Sequence, residues 1–161
     1  MKPETLEGRM LKRIGRKRGD AFLRADFEDL GGYDQVGRVL RKMVREGRLV
    51  RVGQGLYVRA SPSITSGEPI PARGLEVLRE ALGRVGIETF PTRLERAYNS
   101  GETAQVSTGR VLRVTRRVRR KVGYGGVHLS FERAGSARRA QAVRVGYDVW
   151  PKENDSCTDT T

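Results

Sequence analysis

The chain has 161 residues, 37% hydrophobic and 32% charged, with 32 Lys and Arg against 19 Asp and Glu, a net charge of +13 and a pI near 10.8. That length admits one domain or two small ones, and its periodic apolar segments exclude a wholly disordered polycation. No apolar run approaches the ~18 residues of a membrane span, the lone Cys157 excludes an internal disulfide framework, and the charged, helix-prone start is not signal-like, so the expectation is a cytoplasmic protein with no membrane partner.

Residues 3–17 predict a first helix. Leu6, Met10 and Ile14 step by four with Leu11 beside them, and Pro3 suits the first turn. Glu4 and Glu7 favour its positive end, and Arg13, Arg16, Lys17 and Arg18 its negative end. Ala21–Arg24 predicts a short extended piece pairing with a later hairpin. Asp26 is placed as an N-cap, with Asp29 three residues on, opening a single-turn helix at Phe27–Leu30.

The rest is organised around Tyr33–Arg59, YDQVGRVLRKMVREGRLVRVGQGLYVR. Val36, Val39, Leu40, Met43 and Val44 form one apolar stripe, and Arg38, Arg41, Lys42 and Arg45 fall on the other side. Gly32 serves as N-cap and Gly47 as a left-handed C-cap. Arg48–Val52 and Leu56–Arg59 are β-prone runs around Gly53-Gln54-Gly55, where glycines on both sides of Gln54 allow the positive φ of a tight hairpin. Helix, short strand, short helix, turn, long helix, hairpin is the order of a winged helix-turn-helix. In that fold the long helix enters the major groove and the wing lies along the backbone. The alternative is a structural helix–hairpin with a solvated basic face.

Ala60–Ala72 holds three of the six prolines with Ser, Thr and Gly. Residues 61–72 therefore read as a linker between a domain at 1–60 and one at 73–150. Arg73–Val85 predicts a helix with Leu75, Leu78 and Leu82 inward, and Ile87–Phe90 a short strand. Thr92 and Glu95 form a capping-box signature opening a helix at Arg93–Tyr98. Val111–Thr115 and Val127–Glu132 alternate as strands, Val143–Trp150 is a weaker third, and residues 151–161 form a disordered tail. The fold class is α+β: a winged helix-turn-helix followed by a small basic α+β domain.

Charge is unevenly distributed. Residues 1–60 carry 15 basic and 8 acidic side chains, residues 61–104 carry 5 and 6, and residues 105–145 carry 11 and 1. Two basic regions thus flank a near-neutral middle, either as two contact surfaces or as one built from both. A chain so rich in arginine is drawn to nucleic acid, because guanidinium grips phosphate and guanine edges bidentately. Tyr33, Gln35 and Arg38, at the start of the long helix, are the candidates for base edges. Glutamine pairs with adenine and arginine with guanine, each worth roughly 1–3 kcal/mol of discrimination. Arg41, Lys42 and Arg45 are placed on phosphate, with Arg51 and Gln54 on the adjacent backbone or minor groove. Arg116, Arg117, Arg119, Arg120 and Lys121 put five cations in six residues, an electrostatic clamp for phosphates or an acidic partner. The alternative is a solvated loop.

Catalysis has little support. His128 is the only histidine and lies in an alternating β run; Cys157 has no histidine neighbour. No phosphate-loop, zinc or dinucleotide spacing occurs, and Gly123-Tyr124-Gly125-Gly126 is too short for one. No enzyme, cofactor or metal is expected.

The stretch DLGGYDQVGRVLRKMVREGRLVRVGQGLYVR resembles the N-terminal winged helix of AbiEi-like antitoxins of type IV toxin–antitoxin systems. FPTRLERAYNSGETAQVSTGRVLRVTRRVRRKVGYGGVHLSFER is similar to the domain that follows in a subset of them. REGRLVRVGQGLYVR and TAQVSTGR are the most specific pieces, although Ser107 stands where proline is common in that family. The resemblance implies a repressor of its own operon that recognises inverted repeats in double-stranded DNA and pairs on it. It also implies a toxin of the nucleotidyltransferase class encoded nearby, countered without a stable complex. An RNA-binding or toxin-interacting protein with a merely structural winged helix is the second expectation.

Overall fold

In the computed structural model, which describes residues 4–134, the first apolar stripe becomes α1, Leu6–Arg16. The Thr5 hydroxyl accepts the Gly8 N–H at 3.2 Å, so this cap starts the helix later than predicted. β1, Ala21–Leu23, leads into a single 3-10 turn at Arg24–Phe27. That corrects the helix predicted at Phe27–Leu30 with Asp26 as its N-cap. Asp26 lies inside the turn, and its carboxylate accepts the Leu23 N–H at 2.9 Å, the role of the third-position acid in a capping box.

α2, Tyr33–Arg45, buries Val36, Gly37, Leu40 and Met43. The chain leaves it at Gly47, whose φ of 71° is the left-handed conformation that a helix end favours. β2, Leu49–Gly53, and β3, Leu56–Pro62, close over Gln54 and Gly55. Of the two glycines flanking Gln54, Gly55 takes the positive φ, at 66°, while Gly53 stays in the ladder opposite Leu56.

β1, β3 and β2 form an antiparallel sheet in that order, with Val58 between Ala21 and Val50. Side chains alternate across it, and both faces are covered. Phe22, Leu49 and Tyr57 join Met10 and Ile14 of α1, Phe27, and Val36, Leu40 and Met43 of α2 in one core. Ala21, Val52, Leu56 and Val58 face the other way. They pack with Val77, Leu78, Ala81 and Leu82 of α3, Glu76–Arg84, and with Leu112, Val114, Val122 and Leu129 further on.

This second core corrects the linker predicted at residues 61–72. β4, Pro69–Pro71, pairs antiparallel with the end of β3, placing Ala60 opposite Pro71 and Pro62 opposite Pro69. Prolines are tolerated on such an edge strand, where a missing N–H costs no ladder bond. α3 is also tied back to β1. The Glu80 carboxylate accepts the backbone N–H of Asp20 at 2.9 Å and of Ala21 at 3.1 Å. Arg73 pairs with Asp20 at 2.7 Å and with Glu80, and Arg59 pairs with Asp20 at 2.8 Å. Arg73 and Gly74 lie in a turn closed by the Pro71 carbonyl, so α3 starts after them. No separate domain therefore begins at residue 73, because α3 shares a core with the sheet built from residues 21–62.

Beyond α3 come β5, Thr89–Phe90, α4, Arg93–Asn99, and β6, Val111–Val114. The capping box of α4 forms: Thr92 Oγ1 accepts from Glu95 N at 3.2 Å and Glu95 Oε2 from Thr92 N at 2.7 Å. The strand predicted at Val127–Glu132 divides at Leu129, whose buried side chain and N–H, bonded to Val122 O at 2.8 Å, turn inward. Its first half, β8, Val127–His128, pairs with β7, Gly123–Tyr124. Its second half, β9, Ser130–Arg133, runs parallel to β6 in a sheet of order β5-β6-β9. The strand expected at Val143–Trp150 and the tail at 151–161 lie outside the described residues. Among the described residues no helix is long and apolar enough to cross a membrane.

Candidate nucleic-acid interface

The stripe that buries one side of α2 leaves the opposite side to charge. Gln35, Arg38, Arg41, Lys42 and Arg45 are all exposed, and so is Tyr33, with 67% of its surface accessible. They are not equally available. Arg38 and Arg45 have no ion-pair or hydrogen-bond partner among the described residues. Arg41 Nε donates to the Gly37 carbonyl at 3.3 Å, which leaves its terminal nitrogens outward. Lys42 is held by Glu7 of α1 at 2.6 Å and by Glu46 at 3.6 Å, and the hydrogen bond to Glu7 raises its pKa above the ordinary lysine value. The Gln35 carbonyl oxygen accepts the Gly32 N–H at 3.4 Å. To meet adenine through both amide atoms, Gln35 must share that oxygen with the cap or release it.

Sequence reasoning passed over Arg24. Its guanidinium carbon stacks 3.2 Å from the centroid of the Tyr33 ring, and one terminal nitrogen donates to the Tyr33 carbonyl. The group occupies a notch over Gly37, where a Cβ would lie 2.7 Å from Nη2. Its Nε is buried without a partner. The Arg24 backbone N–H donates to the Gly55 carbonyl at 3.2 Å. Arg24 therefore joins the first turns of α2 to the tip of the β2–β3 hairpin. The available signal was Gly37, a glycine inside a strong helical pattern, but Gly15 of α1 gives the same signal with open space around it, so the pattern alone does not single out the contact. At that tip Gln54 is exposed, and exposed Arg51 donates from Nε to Gly53 O at 3.3 Å.

The cationic run between β6 and β7 is anchored. Arg116 donates to the Gly86 carbonyl at 2.7 Å, at the turn after α3, which ties the loop down and leaves the charge of the exposed guanidinium unneutralised. Val118 packs against the second core and Val122 is buried in it. Arg117, Arg119, Arg120 and Lys121 are exposed, and none has a partner among the described residues. The run reaches the hairpin: a Cβ at Gly53 would lie 3.4 Å from the Lys121 carbonyl oxygen.

α1 is basic too, but only part of its charge is matched: Arg9 and Arg16 are exposed with no ion-pair partner among the described residues. Lys12 pairs with Glu4 at 2.8 Å, Arg13 with Asp29, and Lys17 with Asp26 at 2.7 Å, along a shallow groove. Asp26 also takes Arg84 of α3. Burial acts to raise the Asp26 pKa, but the Lys17 hydrogen bond, the Leu23 N–H and Arg84 together hold it below the ordinary carboxylate value.

His128 is exposed on β8, and Gly125-Gly126 form the turn of the β7–β8 hairpin. Among the described residues no group of three or more His, Cys, Asp and Glu side chains could hold a metal ion. No protein-family model, no curated protein and no solved structure matches this chain.

Proposed function

We propose that the protein is a sequence-specific regulator that binds double-stranded DNA through a winged helix-turn-helix, with α2 as the recognition helix and the β2–β3 hairpin as the wing. The observation that carries this reading is the outer side of α2: Arg38 and Arg45 unpaired and Arg41 half-free, on a helix joined to the hairpin tip through Arg24. A helix of that charge laid in the major groove puts its first turns on base edges and its later cations on phosphate. Tyr33, Gln35 and Arg38 take the first role; Arg41 and Arg45 take the second. Lys42 contributes only as far as phosphate displaces Glu7 and Glu46.

The test is retention of duplex DNA from upstream of the protein's own reading frame, by the parent and by Arg38→Gln/Arg41→Gln/Arg45→Gln. The variant, with unchanged circular dichroism, is expected to lose retention and to show a log–log salt slope shallower by up to about 1.8, at about 0.9 for each of the phosphates met by Arg41 and Arg45. Equal binding by the two proteins rejects the proposal.

The finer reading is a cytoplasmic, autoregulating antitoxin of a type IV system, supported by the AbiEi-like resemblance of its hairpin segment. Co-expression with a nucleotidyltransferase-class product of the neighbouring gene is expected to relieve that product's toxicity. One observation favours the RNA reading: Tyr33 is covered on one face by Arg24 and open elsewhere, a surface on which an unpaired base can stack. Stronger competition by single-stranded RNA than by duplex DNA would select that reading instead.

A further inference from the structure

The anchored run after β6 lies too close to the hairpin to be a second, independent surface. We propose that Arg117, Arg119, Arg120 and Lys121 act as a second wing. With the Gln54 tip they form one continuous rim that holds duplex phosphodiester backbone beside the segment met by α2. The inference rests on the DNA reading above and extends its footprint into the second half of the chain.

Three observations build the rim. The Lys121 backbone lies against Gly53, its carbonyl oxygen within van der Waals reach of where a Cβ would stand. Val118 and Val122 sit in the same core as Val52 and Leu56 of the hairpin, so loop and wing are fixed to one body. On the far side of the tip, the Arg24 N–H bond to Gly55 links the hairpin to α2. The first turns of α2, the hairpin tip and the cationic loop therefore follow one another along a single edge.

The loop is also held for binding. Arg116 is tied to Gly86, and the two valines alternate with cations that point outward. Four like charges within five residues repel one another, and a polyanion relieves that repulsion. Because the loop is already pinned, little ordering entropy opposes its docking. A phosphate backbone suits it better than a compact anion, because the cations are strung along the chain at 117, 119, 120 and 121. Counterion release from up to four phosphates would add up to about 3.6 to the salt slope.

The experiment measures binding to two duplexes from upstream of the reading frame by fluorescence anisotropy over a salt series. One is the shortest duplex that binds fully through α2, and the other is about 10 bp longer, one helical turn. The parent is expected to bind the longer duplex more tightly and with the steeper salt slope. Arg117→Gln/Arg119→Gln/Arg120→Gln/Lys121→Gln is expected to lose that advantage and bind both alike, with a slope shallower by about 2 to 3.6. Arg117→Lys/Arg119→Lys/Arg120→Lys keeps the charge and is expected to keep the slope, which separates an electrostatic role from a folding defect. If the glutamine variant retains the parent's slope and length dependence while the α2 triple variant loses binding, the second wing is rejected and the recognition helix stands. If neither variant changes binding, both proposals fall.

Discussion

α1 and α2 carry similar charge and lie on the same core, yet they present it differently. On α1, Lys12 and Arg13 each meet a carboxylate, as does Lys17 just past its end, while Arg9 and Arg16 do not. On α2, Lys42 is held the same way, but Arg38 and Arg45 are left unmatched. Each helix carries four basic residues; carboxylates meet two of them on α1, leaving Arg9 and Arg16, and only Lys42 on α2, leaving Arg38, Arg41 and Arg45. An exposed ion pair contributes little to stability, typically 0–1 kcal/mol. Its larger consequence here is that it neutralises a surface which would otherwise attract a polyanion.

The largest expected effect is the contrast between matched variants. Arg38→Gln/Arg41→Gln/Arg45→Gln should weaken duplex binding by about a hundredfold or more, since removing each charge-assisted hydrogen bond to the duplex costs roughly 1 kcal/mol or above. Lys12→Gln/Arg13→Gln/Lys17→Gln, which removes as much formal charge from cations that already meet carboxylates on the α1 side, should change it by less than about threefold. Comparable losses in titrations at one salt concentration would show that only net charge matters, and the distinction between the helices would collapse.

A smaller effect separates the two helices through their glycines. Gly15 of α1 has open space around its would-be Cβ, whereas Gly37 of α2 faces Arg24 at 2.7 Å. Alanine favours a helix interior over glycine by about 1 kcal/mol. Gly15→Ala should therefore raise stability by up to that amount and leave DNA affinity unchanged. In Gly37→Ala the same gain is offset by displacing Arg24, so thermal stability should move little while affinity falls by about tenfold, a loss that Arg24→Ala should reproduce. Full affinity in Gly37→Ala would show that the Arg24–Tyr33 stack does not hold the reading end of α2.

What the sequence disclosed follows from the range of each interaction. α2 and its hairpin were legible because an apolar stripe, Gly47 and the Gln54 turn are local signals. The Thr92–Glu95 box was legible for the same reason. The docking of α3 was not, because Glu80 caps residues 59 and 60 positions earlier in the chain. Proline and serine between 61 and 72 have the composition of a linker, and nothing local says that Pro71 lies opposite Ala60. The fates of the candidate cations were equally non-local. Lys42 is engaged by Glu7, 35 residues away, and Arg116 by Gly86, 30 residues away. Charge patterning along one helix locates a basic face but does not show which of its members are already paired.

That non-local pairing supplies the next prediction. Glu7 of α1 engages Lys42 of α2 more closely than Glu46 does, so Glu7→Gln should leave Lys42 only its longer 3.6 Å contact and make it more available. Duplex affinity should rise by about threefold and the salt slope steepen by at most about 0.9. Asp29→Asn frees Arg13 on the α1 side and should produce neither change. A gain from Asp29→Asn equal to that from Glu7→Gln would indicate that any added positive charge helps.

The smallest effect concerns Asp26, the carboxylate that keeps the α1 side matched by holding Lys17 and linking it to Arg84. Its pKa is lowered in the folded protein despite the opposing influence of burial. Folding therefore favours the charged form, and that contribution is complete above the unfolded aspartate value of about 3.9. It is lost as pH falls below that value and through the lower folded one, while near neutrality it is constant. Solvent around the partly exposed pair screens the gain, so the acid limb of a stability–pH curve should be shallow. Asp26→Asn removes the titration and should flatten that limb further, while releasing Lys17 and Arg84 at every pH. An acid limb identical in parent and variant would place the pH dependence elsewhere. A variant that also bound duplex more tightly would show that α1 contributes to the interface once its cations are unpaired.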